Sequence, residues 1–314
     1  MYTQQRFVLM TLDPVHIGTG GYRLGRVDLS IAREPGTNLP KIPGTSLAGA
    51  ARSYAAMRYE KLRCAGQGQD KDDNKKHCTQ VTCPICYTFG STKGSEGGNA
   101  GTVSIADAQV LFFPVHSMVG PVWVSTANRL TDAGFDVNAP SLERGQFATT
   151  LPNGNKPLNL GWLLLDPTIT KPPDVKPSAK WQEAAQNNNA AWNAIEKRLV
   201  LVDDGLFSQI VNSNLEVRTS VSIDPNTGAA REGMLFTYEA MPRATWLWCD
   251  VVEDDYRPEK FPASDAKATE FKHKRPLDVA RAGLQLAEYL GVGGMGTRGF
   301  GRVKFFEPWE VSRG

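Results

Sequence analysis

The chain has 314 residues, 41% of them hydrophobic and 22% charged, the composition of a globular protein with a real core; that length suits one elaborated domain or two small ones. A net charge of only +2 excludes a surface that is basic throughout, so any nucleic-acid-binding face must be local, with acidic stretches such as Glu253, Asp254 and Asp255 balancing it. No apolar run approaches the roughly 20 residues of a membrane span, and the polar opening 1–6 leads into a strand-like run rather than a signal peptide, so the expected location is the cytoplasm, with no membrane partner.

In chain order, the run 7–12 reads as a first buried strand ended by Pro14. A loop with Gly18, Gly20 and Gly21 follows, and the stretch 26–31 reads as a short strand carrying Asp28, flanked by Arg26 and followed by Arg33 and Glu34. A helix starts near Thr45 or Ser46, either of which can cap its free N–H groups. Leu47, Ala50, Tyr54 and Met57 form its apolar stripe; Arg52, Arg58 and Arg63 lie off it. The segment 64–86 is polar and aperiodic and reads as an insertion held by a metal. Strand character returns at 103–113 and 122–124.

The segment 131–200 reads as a second insertion, loop-rich and studded with proline up to 180, then helical over 181–199. Strand-like runs at 217–223 and 234–238 flank Asp224, Pro225, Asn226, Thr227 and Gly228, which is strong turn chemistry. Residues 217–238 therefore read as one long hairpin with its tip in solvent. After a charged loop at 253–275, a helix begins at Pro276, buries Leu277, Ala280, Leu284, Ala287 and Leu290, and ends at Gly291. A glycine-rich loop and a closing strand at 303–306 follow. This order predicts an α+β fold, an antiparallel sheet with helices on one face in the modified ferredoxin-like, RNA-recognition-like plan, across a single domain 1–314.

Four of the five cysteines, Cys64, Cys78, Cys83 and Cys86, fall in one segment, and Cys83-Pro84-Ile85-Cys86 is a tight knuckle. In a reducing compartment such a set points to a metal, not to disulfides. Structural zinc takes four ligands, here the four cysteines, with His77 as a possible substitute for one. Free thiols in a polar loop, or a redox Cys-x-x-Cys, are the competing readings; no thioredoxin-like strand–helix context surrounds the pair.

Gly294-Met295-Gly296-Thr297-Arg298-Gly299 matches G-x-G-x-x-G, but a helix precedes it and a strand follows it. That reverses the order a dinucleotide site needs. Two readings remain on spacing alone. One is a backbone loop at Gly294 and Gly296 that approaches a phosphate, with charge from Arg298 and Arg302; the other is a glycine turn serving only helix–strand packing.

The run from Gly293 to Val303, Gly-Gly-Met-Gly-Thr-Arg-Gly-Phe-Gly-Arg-Val, resembles the terminal glycine-rich loop of the RAMP superfamily of CRISPR proteins. Further segments are similar to the repeated backbone RNase of type III-B effectors. They are Thr11-Leu12-Asp13-Pro14-Val15-His16-Ile17-Gly18, Val27-Asp28-Leu29-Ser30-Ile31, Ile42-Pro43-Gly44-Thr45-Ser46-Leu47, Phe113-Pro114-Val115, and the hairpin with Leu235-Phe236 and Tyr238-Glu239. The resemblance spans nearly the whole chain, and the cysteine segment is also similar to sister subunits of types III-A, III-D and III-E. It implies copies stacked along a guide CRISPR RNA with other effector subunits, a thumb hairpin that flips nucleotides, and Asp28 cutting complementary target RNA.

The resemblance implies guide contacts at the helix start, where Ala48 replaces a usual lysine and leaves the role to Ser46, Arg52 and backbone N–H groups. Arg26 and Arg33 would dock a phosphate beside Asp28. Cutting through the 2′-hydroxyl needs it in line and deprotonated, which a carboxylate serves as a base or by holding Mg2+ or Mn2+. His16 is a second acid–base candidate, Glu232 and Tyr238 are weaker ones, and Glu34 reads as an ion-pair partner. The alternatives are a guide-holding scaffold without cutting, a guide-processing endoribonuclease, and a zinc-stabilised interaction module.

Overall fold

A computed structural model describes the chain except for residues 1, 21–26, 67–76, 79, 81, 95–96, 153, 168–171, 185–188, 257, 259–260, 262–273 and 312–314. Arg26 lies outside the described residues. Among the described residues the fold is α+β around one large sheet of twelve strands. Its centre is built from the opening strand Thr3–Thr11, which pairs antiparallel with Trp246–Glu253 on one side and Val303–Phe305 on the other. Trp246–Glu253 pairs in turn with Ala108–Val115, again antiparallel. The spatial order is thus Val303–Phe305, Thr3–Thr11, Trp246–Glu253, Ala108–Val115. A helix follows the first strand in sequence and another precedes the last: Gly44–Arg58 and Pro276–Gln285.

Side-chain alternation explains why the central strands read as continuous apolar runs. Phe7 and Leu9 join one core with Leu47, Ala51, Leu277 and Leu284 of the two helices. Val8 points the other way, into a second core with Phe112, Trp181, Trp192 and Trp246. Both faces of the sheet are therefore buried at its centre, and the run Phe7, Val8, Leu9 is apolar whichever way its residues point. The helices approach so closely that a Cβ at Gly283 would stand 2.0 Å from the carbonyl oxygen of Ala51. Only glycine admits that crossing.

The stretch 131–200 does more than the loop-and-helix insertion expected of it. Gln146–Thr149 and Leu199–Val202 extend the main sheet, the latter pairing parallel with Val122–Ser125 and antiparallel with Gln146–Thr149. The sheet is consequently mixed beyond its antiparallel centre, which corrects the expectation of a purely antiparallel one. Leu199–Val202 is buried at every position, so its sequence carries no alternation by which to tell it from the end of the preceding helix. Helix Ala179–Ala184 brings Trp181, and helix Asn189–Glu196 brings Trp192, onto Phe135, with ring centroids 5.4 and 5.5 Å apart. This aromatic cluster roofs the sheet's second face.

Other expectations shift in detail. Helix Gly44–Arg58 starts at Gly44 with Pro43 at its cap and no side-chain cap bond, so neither Thr45 nor Ser46 caps it. Its buried face runs through Leu47, Ala51 and Ala55, leaving Met57 exposed. The C-terminal helix breaks after Gln285, and the short helix Ala287–Leu290 leaves Leu290 in solvent. The stretch from Val27 to Arg33 forms no strand of its own; it makes single bridges, Gly18 to Ile31, Leu29 to Tyr238 and Arg33 to Pro40.

Candidate functional site: an acidic strap at the root of a hairpin

The protruding hairpin pairs Glu216–Ile223 with Ala230–Ala240, with a register irregularity near its tip. Val221, Ile223, Met234 and Leu235 on it are exposed. Apolar side chains in solvent on a two-stranded arm mark a surface made for contact, since none of the described residues covers them.

Asp28 sits where that arm joins the body. Leu29 donates its N–H to the carbonyl of Thr237 at 3.0 Å, and Glu239 donates its N–H to the carbonyl of Leu29 at 3.2 Å. The strap 27–33 is thus stitched along the hairpin's return strand. Asp28 itself is exposed. Its Oδ2 accepts the backbone N–H of Thr237 at 2.7 Å and the Thr237 hydroxyl at 2.9 Å. These bonds, the backbone one first, hold the carboxyl below its ordinary value. Oδ1 accepts no hydrogen bond from another described residue.

The residues named with Asp28 divide. Arg33 is committed: its guanidinium pairs with Glu239 at 2.6 Å and donates to Asn212 and to the carbonyl of Ile31. Glu34 pairs with Lys41 at 3.2 Å. His16 is buried, its Nδ1 2.7 Å from the carbonyl oxygen of Glu239 and its ring edge-on to Tyr238. It supports the root of the hairpin, on the Tyr238 face; Thr237, one residue away, sends its side chain to the other. Glu232 lies five residues from Thr237 toward the tip, roughly 16 Å along an extended strand, and its side chain is outside the described ones.

The glycine-rich loop closes over His16. Gly294 donates its N–H to the carbonyl of His16 at 2.9 Å, while Gly294 and Gly296 face solvent. Gly293, outside the G-x-G-x-x-G match, is one position that requires glycine. Its φ is +84°, and a Cβ there would stand 2.4 Å from Ile17 Cδ1 and 2.5 Å from the carbonyl oxygen of His16. Arg302 is held by both oxygens of Asp13, at 2.5 and 3.0 Å. Exposed Arg298 lies over the Phe236 ring at 5.5 Å and makes no ion pair among the described residues. Arg218 lies over Phe300 at 4.7 Å. Strap and glycine loop both pack on the root of the hairpin, Leu29 and Met295 meeting Phe236, Tyr238 and Phe300 on one face of the return strand while Asp28 is held by Thr237 on the other.

At the start of helix Gly44–Arg58, Ser46 is half-buried and the N–H of Gly44 donates to Asp107 at 2.7 Å. Asp107 also pairs with Lys41 at 2.5 Å. Burial raises the Asp107 carboxyl, and the bonds from Gly44 and Lys41 outweigh it, leaving the group below its usual value. Sequence reasoning missed this carboxylate, whose partners are more than 60 residues away in sequence.

Arg52 departs from its expected RNA contact. Its guanidinium donates to the carbonyls of Cys64 at 2.7 Å and Phe89 at 3.3 Å, and lies against the His77 ring at 3.0 Å. Burial lowers its pKa, opposed by the nearby cysteine sulfurs. The four cysteine sulfurs lie within 4.8 Å of one another, an arrangement that could hold a metal ion. The spacings Cys64–Cys78, Cys78–Cys86 and Cys64–Cys83 are 3.3, 3.7 and 3.7 Å. A tetrahedron with metal–sulfur bonds of about 2.3 Å has edges of about 3.8 Å, so the donor set fits. Cys83 caps the helix Pro84–Phe89, whose first turn presents Cys86. Hydrogen bonds from Cys83 and Cys86 draw the Cys64 thiol down, while Cys83 is pushed up to about 12, chiefly by its bond to Cys64. His77 is not in the cluster; it packs on Arg52.

A glycine-rich closing loop packed under a protruding hairpin, on a two-helix α+β core, defines the class of protein: a family model, "RAMP superfamily", matches residues 8–304, and the chain belongs to that superfamily. It is 30% identical over 252 residues to the CRISPR system Cmr endoribonuclease Cmr4 of Pyrococcus furiosus, spanning 76% of this chain and 78% of that protein. It is 31% identical over 90 residues, 28% of this chain and 33% of the relative, to the CRISPR system Cms endoribonuclease Csm3 of Methanothermobacter thermautotrophicus. Its fold is similar to that of oligomeric Cmr4 from Pyrococcus furiosus, with a TM-score of 0.57, 20% identity and 99% of both chains covered. A chain of the type III-B Cmr-beta structure bound to cognate target RNA gives a TM-score of 0.59 at 15% identity, over 98% of this chain and 96% of that one.

Proposed function

We propose that this chain is an endoribonuclease: the backbone subunit of a type III CRISPR effector that binds guide RNA in several copies and cuts complementary target RNA at regular intervals. The observation that carries the reading is the exposed carboxylate of Asp28, fixed at the root of a solvent-facing hairpin. The identity to a Cmr endoribonuclease over three quarters of the chain supports the same activity.

In this reading the four central strands and two helices are the ferredoxin-like palm, and their order along the sheet supports it. The hairpin is the thumb. Its exposed Val221, Ile223, Met234 and Leu235 wedge between bases and unstack one. Unstacking frees the adjacent 2′-hydroxyl to swing in line with the scissile phosphate, which A-form stacking forbids. Backbone at Gly294 and Gly296, with Arg298, holds the phosphodiester chain. Ser46 at the helix start offers a further guide contact; Arg52 and Arg33 serve the fold instead.

Asp28 then acts on the 2′-hydroxyl through Oδ1. There it takes up the hydroxyl proton as the 2′-oxygen attacks the phosphorus, and the departing 5′-oxygen takes a proton from water. Asp28 is also the carboxylate that would hold a Mg2+ or Mn2+ ion; when bound, such an ion would supply charge neutralisation at the phosphate. His16 and Glu239 keep the strap in place. The four cysteines hold structural zinc, whose thiolate charge Arg52 offsets. The complex works in the cytoplasm with guide CRISPR RNA, target RNA, further copies of this chain and other effector subunits.

The test is to assemble the protein on guide RNA and add labelled complementary RNA with Mg2+. Evenly spaced products support the reading. Tight target binding with intact RNA would leave only a guide-holding scaffold.

A further inference from the structure

The contact between Asp28 and Thr237 is more elaborate than anchoring a loop requires. Thr237 donates both its backbone N–H and its hydroxyl to one carboxylate oxygen, at 2.7 and 2.9 Å. The same hydroxyl accepts the N–H of Asp28 at 3.1 Å, so its single proton is directed at the carboxylate. Beneath, the carbonyl of Thr237 accepts the N–H of Leu29. An exposed aspartate without such partners samples several rotamers; this one is held through both its backbone and its side chain.

We propose that Thr237 is the positioning residue of the cutting site, clamping Oδ2 of Asp28 so that Oδ1 alone is presented to the RNA. The proposal rests on the reading of Asp28 as the cutting carboxylate. It ties cutting to the hairpin physically, because Thr237 belongs to the strand Ala230–Ala240 that forms half of the arm. A base wedged by the arm and the carboxylate that acts beside it are thereby held by one strand, so register is shared between them. The requirement is chemical: a hydroxyl on the β-carbon is needed, which serine meets and valine, of the same shape, does not.

The surrounding charges do not take over this role. On the strap, Arg33 is turned to Glu239; on the return strand, Glu239 is turned to Arg33 and Tyr238 packs on His16 and Phe300; His16 beneath is bonded to the Glu239 carbonyl. The backbone and side-chain hydrogen bonds from Thr237 hold the Asp28 carboxyl low, with no charged neighbour among the described residues contributing.

The experiment compares Thr237→Val, Thr237→Ser and Asp28→Ala in the assembled guide-bound complex, reading single-turnover cutting of complementary RNA against pH at saturating Mg2+, together with guide and target binding. The expectation is that Thr237→Val binds both RNAs as the wild type does and cuts about 10-fold more slowly at neutral pH. Its acid limb also moves to higher pH, since a carboxylate that has lost a donor takes up its proton earlier. Thr237→Ser restores rate and limb. If the valine variant does not assemble, Thr237→Ala, which keeps the backbone N–H, carries the same expectation. Wild-type rate and limb in the valine or alanine variant, with Asp28→Ala inactive, overturn this proposal and leave the role of Asp28 standing. Wild-type cutting by Asp28→Ala overturns both.

Discussion

Arg33 Nη1 donates to Glu239 Oε1 at 2.6 Å, and Glu239 Oε1 also accepts the N–H of Ile31 at 2.9 Å. One half-buried ion pair therefore fastens the strap that carries Asp28 to the strand that carries the hairpin. Arg33→Ala strands a carboxylate that is 8% exposed, at a cost of about 3 kcal/mol. Chemical denaturation should read that loss, and cutting should fall further than guide binding, because the strap is loosened while the palm is not. Equal losses in both would show that the pair serves general stability only.

The cysteine cluster predicts a metal that can be counted. Elemental analysis of purified protein should find about one zinc per chain. Cys83→Ser should lose the metal and lower Tm by at least ~5 °C, since the metal cross-link is worth several kcal/mol to this segment. His77→Ala should keep the metal, because its ring lies on Arg52 and outside the sulfur cluster.

Asp107 predicts a pH-dependent contribution at the start of the long helix. Its folded pKa is lowered, so its stabilisation is fully present above the unfolded carboxylate value of about 3.9 and is lost as pH falls through the lower folded value. Asp107→Asn should therefore cost about 1–2 kcal/mol at neutral pH. The gap between variant and wild type should close in acid, below about pH 4. Urea titrations at a neutral and an acidic pH measure both numbers.

Two glycines in one loop should behave oppositely. Gly293→Ala places a Cβ against Ile17 and the His16 carbonyl at a positive φ and should destabilise by about 1–3 kcal/mol. Gly296 has open space around its Cβ position, so Gly296→Ala should leave stability nearly unchanged. Thermal unfolding of the two variants makes the comparison. If RNA binding falls in the second without a change in Tm, the loop's backbone is a contact and not only a turn.

What the sequence made legible follows from local chemistry. The turn residues Asp224 to Gly228 mark the hairpin tip because few other conformations suit them, and the hydrogen bond from Gly228 N–H to the Asp224 carbonyl closes that turn at 2.8 Å. The cysteine spacing marks the cluster because a knuckle of two thiols is geometrically demanding. The strand Leu199–Val202 was hidden because burial on both faces erases alternation. The proline-rich stretch before it hides Gln146–Thr149, whose partner Leu199–Val202 lies about 50 residues further along the chain. The engagement of Arg52, Arg33 and Arg302 with internal partners was equally invisible. An arginine beside a glycine loop reads the same whether its partner is a phosphate or a carboxylate, and only the fold places Asp13 within 2.5 Å of Arg302.

Cutting by the Asp28→Ala complex is the most direct measurement of the central claim. Under single-turnover conditions with saturating Mg2+ and matched target occupancy, loss of one catalytic carboxylate should slow cleavage by at least ~10²-fold, with guide and target affinities unchanged. Cleavage at the wild-type rate, giving the same products, would contradict it.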